Sequence, residues 1–286
     1  MVTTAQSQAT TIPRQIAIIG AGVVGTAVAT QLVHAGYSVS ISNSRGPSSL
    51  YEVERLTGAK ALDLERAVSE ADVVILAVPM SGILPLQPIL HSCMRPGMVL
   101  VDACNYYPSR DGNIQQVDEG MAESVWISET LSFPVVKALN NIIALNIASS
   151  ARPKGSPKRV ALPVAGDDNK AVPVVMELLE AMGFDAFNAG PLEDSWRQQA
   201  GQPAYCTEPT LKELMTLLSS AHREKAKENR DKVMAIAKKL PPDFSPQSMV
   251  RVARLGAGLD LWKPRSWLAA IQLAYALARA SFKRTA

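Results

Sequence analysis

Gly20, Gly22 and Gly25 fall at the spacing G-x-G-x-x-G inside the stretch IAIIGAGVVGTAVATQLVHAGYSVSISNSRGPSSL, residues 16–50. Glycine at each of these places has a physical job. The first permits a tight turn, the second lets the main chain approach a pyrophosphate, and the third lets a helix pack closely on the strand before it. The surroundings give the motif its weight. Residues 16–19 are β-branched and apolar and read as a buried strand, residues 23–35 read as a helix ended by Gly36, and residues 37–42 alternate as a second strand. A helix that opens on such a turn offers free N–H groups and partial positive charge to phosphates. Gly20, Gly22, Val23, Val24 and Gly25 therefore form a candidate dinucleotide cradle.

The second strand ends in Ser42, Asn43, Ser44 and Arg45. In an NAD site a carboxylate at this place accepts hydrogen bonds from the ribose 2′-hydroxyl, and that carboxylate would repel a 2′-phosphate. Here two hydroxyls, an amide and a guanidinium stand instead. These are donors suited to a dianion, and arginine can grip one with a charge-assisted fork. The pattern predicts NADP(H) over NAD(H), with Asn43, Ser44 and Arg45 as phosphate binders; the plainer alternative is that Arg45 is a solvated loop charge. Val78, Pro79 and Met80 end a third strand at the carboxyl edge, where cofactor and substrate sit in open α/β sheets. They can line the ribose or the nicotinamide, while Pro79 also serves simply to stop the strand.

These residues need a sheet to hold them. Strands are expected at 73–78 and 98–103, helices at 50–56, 64–69 and 83–90, and a turn-rich loop after Asn105. Strand and helix alternate over the first hundred residues, which predicts βαβ units and a parallel sheet. Further along, 135–139 and 160–165 read as strands, 142–145 and 173–182 as helices, and 184–188 as a last strand stopped by Gly190-Pro191. Beyond residue 192 the character changes. Residues 210–240 carry one long helical pattern broken by Pro241-Pro242, and 249–261 and 266–282 suggest two more helices. The expected organisation is a polar, disordered tail at 1–13, a nucleotide-binding α/β domain with a cleft-forming extension at 14–192, and a mainly helical C-terminal region at 193–286.

Composition narrows the function classes. Of 286 residues 47% are hydrophobic and 19% charged, enough apolar content for a sizeable core. A net charge of +3 with no dense basic run argues against nucleic acid. Three widely spaced cysteines, Cys93, Cys104 and Cys206, suggest no disulfide framework and fit a reducing compartment. The N-terminus lacks the apolar core of a secretory signal, and no apolar run is long enough to span a bilayer, so a cytoplasmic location is expected. His91, Cys93 and Cys104 lack zinc spacing, and no metal site is expected. Asp167-Asp168 is better read as a helix cap than a metal pair. Trp196 either packs on the cleft or anchors the helical tail.

Taken together, IGAGVVG, SNSRGPSSL, LAVP, DACNYYPSRDG, PVVKALNNI, LPVAGDD and FNAGPLEDSWRQQ resemble the NADPH-dependent coenzyme F420 reductases, also called F420-dependent NADP oxidoreductases, over about residues 15–207. The resemblance implies a Rossmann-like, doubly wound, mostly parallel sheet extended by extra strands, NADPH in the glycine loop, and a flavin-like or deazaflavin acceptor against the nicotinamide. It matches Ser44 and Arg45 to the 2′-phosphate binders and makes the loops at Pro79, Asn105 and 139–141 the cleft. Hydride transfer between such rings is carried by the cofactors, with the protein supplying alignment and exclusion of water, so no catalytic residue stands out. Lys137 can balance acceptor charge or, as a strand-end lysine, reach solvent. Asn140 and Asn141 can hydrogen-bond the carboxamide or the acceptor ring, or satisfy the main chain at a strand end, and the same choice applies to Asn105.

The expected activity is hydride transfer between NADP(H) and a flavin or F420. The alternatives are reduction of another acceptor (free flavin, a ferric chelate, a quinone or an imine) or a non-catalytic NADPH-binding sensor. Trp262, Trp267 and the apolar face of 266–282 suit a homodimer or partner contact; the same helix, ending in Lys283-Arg284, can also lie on a membrane surface.

Overall fold

The computed structural model describes residues 15–241 and 244–282. The tail expected at 1–13, and Lys283-Arg284, lie outside these residues. The glycine-loop strand β1 (Gln15–Ile19) is flanked by β2 (Ser38–Ser42) and β4 (Val73–Leu76); β3 (Lys60–Ala61) lies outside β2, and β5 (Val99–Asp102) and β6 (Val136–Lys137) continue beyond β4. All neighbours are parallel and the order is β3-β2-β1-β4-β5-β6. This is the Rossmann order, with the reversal beside β1 that opens a crevice at the carboxyl ends.

A second parallel pair, β7 (Ala161–Val164) and β8 (Asp185–Asn188), is joined by the helix Ala171–Ala181. It meets the main sheet antiparallel: Lys137 and Ala165 exchange main-chain hydrogen bonds of 2.8 and 3.0 Å. The sheet is thus Rossmann-like, mostly parallel and extended, as the motifs implied.

Strand periodicity explains the continuous apolar runs. Alternate side chains point to opposite faces, and a parallel sheet covered on both sides needs both sets apolar. Ile16 and Ile18 pack with Val28 and Leu32 of the helix Val23–His34 and with Val175, Leu178 and Leu179 of Ala171–Ala181. Ala17, Ile19, Val74 and Leu76 face the other way, against Val68, Leu90, Ile127 and Leu131. The last two belong to the helix Glu123–Leu131, which the sequence reading passed over. Its stop is Ser132 in the left-handed conformation (φ 52°), where glycine is the usual signal.

Other boundaries moved for local reasons. The helix expected at 83–90 is a 3-10 turn, Leu84–Leu86, followed by a helix at Gln87–Cys93, because Pro85 and Pro88 cannot donate helical hydrogen bonds. The helix expected at 142–145 starts later, at Ala144–Asn146 and Ile147–Ser150. The turn-rich loop holds two short helices, Pro108–Asp111 and Gln115–Asp118.

The single long helix expected at 210–240 is two, Leu211–Ser219 and Ala226–Ala237. Buried Gln202 makes the break, since its amide accepts from His222 N and donates to His222 O, each at 3.2 Å. Helices Pro246–Gly256 and Pro264–Phe282 complete the C-terminal region. Arginines tie this region to the sheet domain. Arg230 pairs with Asp118 at 3.0 Å and stacks over Tyr106, and Arg223 donates to Gly120 O at 3.0 Å. No described helix is long and apolar enough to cross a membrane.

Candidate functional site

The glycine loop joins β1 to the helix Val23–His34. Gly20 has φ +114°, and a Cβ there would lie 2.2 Å from the Ala77 carbonyl. A Cβ on Gly25 would lie 1.8 Å from the Gly20 carbonyl and 3.3 Å from Ile18 Cγ2, so strand, turn and helix meet without room for a methyl. Gly22 differs: it is exposed, caps the helix without any side-chain cap, and a Cβ on it would meet nothing within 4 Å. The loop and the uncapped N–H groups of the first turn therefore leave open a cradle that a pyrophosphate fits. Val23 is exposed beside it and Val24 is half-buried.

Gly20 N donates to Ser42 O at 2.8 Å, which places the end of β2 beside this cradle. Asn43 Oδ1 accepts from Arg45 N at 3.0 Å and from Ser49 Oγ at 3.2 Å, and Asn43 Nδ2 donates to Ser49 Oγ at 3.0 Å. The Asn43 amide thus shapes its own turn, a role Asn favours, with one Nδ2 hydrogen given to Ser49. Ser42 is a correction, because its hydroxyl is fully buried within the sheet. Ser44 and Arg45 are exposed, and residues 42–50 contain no acid.

At the carboxyl edge of β4, Val78 is half-buried and Pro79 exposed. Met80 is not at the cleft: it opens the 3-10 turn Met80–Gly82, which turns its side chain fully into the core. Beyond it, Asn105 follows β5 and Asn140-Asn141 follow β6. Asn105 Nδ2 donates to Asn140 O at 3.0 Å, and Asn140 Nδ2 donates to Asn105 Oδ1 at 3.2 Å and to Gln198 O at 2.8 Å. The fold thus brings these three asparagines to one edge with Gln198. Tyr107 and Tyr205 join them, their hydroxyls 2.5 Å apart, and Cys206 N donates to Asn141 O at 2.8 Å. Burial pushes the Tyr107 hydroxyl and the Cys206 thiol up to about 12. Both groups are uncharged at neutral pH.

Lys137 neither reaches solvent nor faces the cleft. Its side chain is fully buried, its Nζ donating to Asp102 Oδ2 at 3.0 Å and to Cys104 O at 2.6 Å. Swinging outward would break both of these bonds and leave Asp102 without its cation. Asp102 also accepts from Ser124 Oγ at 2.7 Å and Cys104 N at 2.7 Å. Buried Glu123 accepts from Tyr106 N at 3.1 Å and is pushed up to about 7 by burial, against the pull of Lys137. One cation thus serves two carboxyls, and protonation of Glu123 leaves the cluster neutral.

A carboxyl raised in the folded state stabilises fully below its unfolded value and loses that contribution as pH rises through the folded value. For Glu123 the loss runs from pH 4.5 to about 7, about 3 kcal/mol in all. Urea unfolding of wild type and Glu123→Gln at pH 5 and pH 8 checks this. The wild type should lose about that much relative to the variant between the two, and parallel curves would count against it.

Elsewhere, Asp168 Oδ1 accepts from Lys170 N at 2.7 Å and Ala171 N at 3.2 Å, as a helix cap does. Trp196 lies between Arg197 and Arg223, the latter from the C-terminal region, which fits an anchor for those helices. Gln198, Tyr107, Tyr205, Asp102 and Glu123 were missed by sequence reasoning. Tyr107 and Gln198 sit within the stretches DACNYYPSRDG and FNAGPLEDSWRQQ, but nothing in either stretch says that they meet.

The sequence model of the family described as "NADP oxidoreductase coenzyme F420-dependent" matches residues 15–106. The structure of a hypothetical protein, SMa0349 of Sinorhizobium meliloti, is 33% identical, covers 67% of this chain and 92% of its own, and superposes with a TM-score of 0.57. A structure from Arthrobacter sp. FB24, described as an F420-dependent NADP-reductase, is 23% identical over 62% of this chain and 84% of its own, with a TM-score of 0.52. The fold is shared with it. The protein YjhV of Escherichia coli K12 is 48% identical over 54 residues, and this chain spans 39% of its length. With the glycine loop, the sheet order and these matches in hand, residues 15–106 belong to the family described as NADP oxidoreductase coenzyme F420-dependent.

Proposed function

We propose that this protein is an NADPH-dependent oxidoreductase that transfers a hydride between NADP(H) and a flavin-like or deazaflavin acceptor. The observation that carries the reading is the open cradle at Gly22 with the acid-free Ser44-Arg45 turn beside it. Gly20, Gly22, Val23, Val24 and Gly25 would hold the pyrophosphate through main-chain N–H groups, and Ser44 and Arg45 would hold the 2′-phosphate. When bound, the nicotinamide supplies the hydride. Val78, Pro79 and Asn105 would border it, and the uncharged wall of Tyr107, Tyr205 and the amides would limit water at the ring.

We assign nucleotide binding and most of the cleft to residues 14–192, to which the start of the region 193–286 adds Gln198 and Tyr205, and partner contact to the last helices of that region. Leu261, Trp262, Trp267, Leu268, Ile271 and Tyr275 are exposed along the last helix and the turn before it. An apolar stripe of this kind supports a homodimer through the C-terminal helices. The unpaired cysteines favour a reducing, cytoplasmic setting.

Arg45→Ala should weaken NADPH binding about 10- to 100-fold, as expected for a lost hydrogen bond to a dianion, and leave NADH within about twofold. Calorimetry with both dinucleotides checks it, and equal losses would count against the phosphate assignment. Following nicotinamide absorbance with F420, FMN, ferric citrate and quinones then identifies the acceptor. Turnover with F420 or FMN supports the reading. Turnover only with the others moves the protein to a different acceptor, and tight NADPH binding without turnover favours a sensor.

A further inference from the structure

The amides at the ends of β5 and β6 hold unspent hydrogen-bonding capacity. Asn140 gives both hydrogens of its Nδ2 to oxygens, on Asn105 and Gln198. The Gln198 main-chain oxygen can only accept, so the orientation of the Asn140 amide is settled by its neighbours. Its Oδ1 is then the atom left over, buried and without a partner among the described residues. Gln198 turns Nε2 toward Lys137 O at 3.5 Å, and its Oε1 is likewise buried and unpartnered. Asn141 is 1% exposed, and neither Oδ1 nor Nδ2 has a partner. Buried polar atoms without partners are rare in folded proteins, and each calls for an explanation.

The frame around these amides is rigid. Charged side chains grip the main chain on both sides of Asn105. Asp102 accepts from Cys104 N, Lys137 donates to Cys104 O, Glu123 accepts from Tyr106 N, and Arg110 donates to Asn105 O at 2.6 Å. The main chain beside the amides is therefore fixed, and a ligand reaches their unpartnered atoms, which are closed to solvent, only where the covering segment gives way.

We propose that Asn140, Asn141 and Gln198, braced by Asn105, bind the carboxamide of the nicotinamide ring rather than the acceptor. This rests on the NADP(H) reading above. The choice between the two ligands follows from counting donors. The unspent atoms are three acceptors, Asn140 Oδ1, Gln198 Oε1 and Asn141 Oδ1, and one donor, Asn141 Nδ2. A primary carboxamide brings two N–H groups and one carbonyl, which would engage the donor and two of the three acceptors. The pyrimidine edge of a flavin or deazaflavin brings one N–H between two carbonyls, and would leave two of the three acceptors unmatched. The location agrees. The amides lie at the carboxyl ends of β5 and β6, on the far side of β4 from the 2′-phosphate turn at β2, and a dinucleotide crosses that crevice lengthwise.

The test is a binding experiment without acceptor. Calorimetry on the full chain compares NADP+, its 3-acetylpyridine analogue, in which a methyl replaces the amide nitrogen, and 2′,5′-ADP, which lacks the nicotinamide. The acetyl analogue should bind about 10- to 100-fold more weakly than NADP+, because two buried acceptors go unmatched. Asn141→Leu should narrow that gap and leave 2′,5′-ADP unchanged, while its melting temperature holds or rises because two orphaned atoms are gone. Equal affinity of wild type for the amide and acetyl forms would overturn the assignment, even if the variant failed to fold. So would equal losses of NADP+ and 2′,5′-ADP in the variant. Failure of wild type to bind 2′,5′-ADP at all would instead bring down the NADP(H) reading itself, and this assignment with it.

Discussion

Lys137→Met should destabilise the protein by about 3–5 kcal/mol, the cost of stranding a buried carboxylate. The methionine fills the space of the lysine stem, so packing changes little. What changes is that Asp102, fully buried, keeps only Ser124 Oγ and Cys104 N, while buried Glu123 loses its nearby cation. The double variant Lys137→Met, Asp102→Asn should recover most of the loss, since no unpaired charge remains. Urea unfolding of the wild type and of these variants measures it. A single variant within about 1 kcal/mol of wild type would mean that the ion pair is not held in a dry interior. The pair has a positional consequence too. Lys137 Nζ holds Cys104 O, one residue before Asn105, so the single variant should also loosen the amide edge of the cleft.

Two glycine variants should separate binding from folding. Gly22→Ala meets nothing within 4 Å and should change stability by about 1 kcal/mol or less, the difference between glycine and alanine at a helix N-cap. Its methyl nevertheless enters the open ground before the helix, where the pyrophosphate would lie. NADPH affinity should fall on the order of a hundredfold, about 3 kcal/mol. Gly25→Ala is a different lesion. Its methyl would sit 1.8 Å from the Gly20 carbonyl, so strand, turn or helix must shift, and both stability and binding should collapse. Thermal melts and NADPH titrations of the pair check this. If Gly22→Ala bound NADPH like wild type, the cradle would hold no phosphate.

The first half of the chain was legible because its signals are local. An apolar run of 16–19, glycines at 20, 22 and 25, and a stop at Gly36 specify strand, turn and helix through backbone sterics alone, and the structure places them there. The acid-free end of β2 was legible for the same reason: charge is visible in the letters, and Gly20 N to Ser42 O brings that end to the loop. Some boundaries moved for local reasons, as at Pro85 and Pro88, and in one case a residue outside the segment decided. The helix at 210–240 broke because Gln202, far back in the chain, holds both main-chain groups of His222.

By itself the sequence determined the doubly wound class, the strand, glycine turn and helix at its start, and the absence of an acid at the end of β2, all set by periodicity and by residues within a few positions of one another. Only the tertiary structure decided that Lys137 is an internal counter-ion, that Met80 belongs to the core, and that Gln198 and Tyr205 stand with Asn105 and Asn140. Burial and pairing across 35 to 98 residues of chain depend on which strands and loops meet at one sheet edge. That is a property of the packed sheet, and it leaves no local trace in the letters.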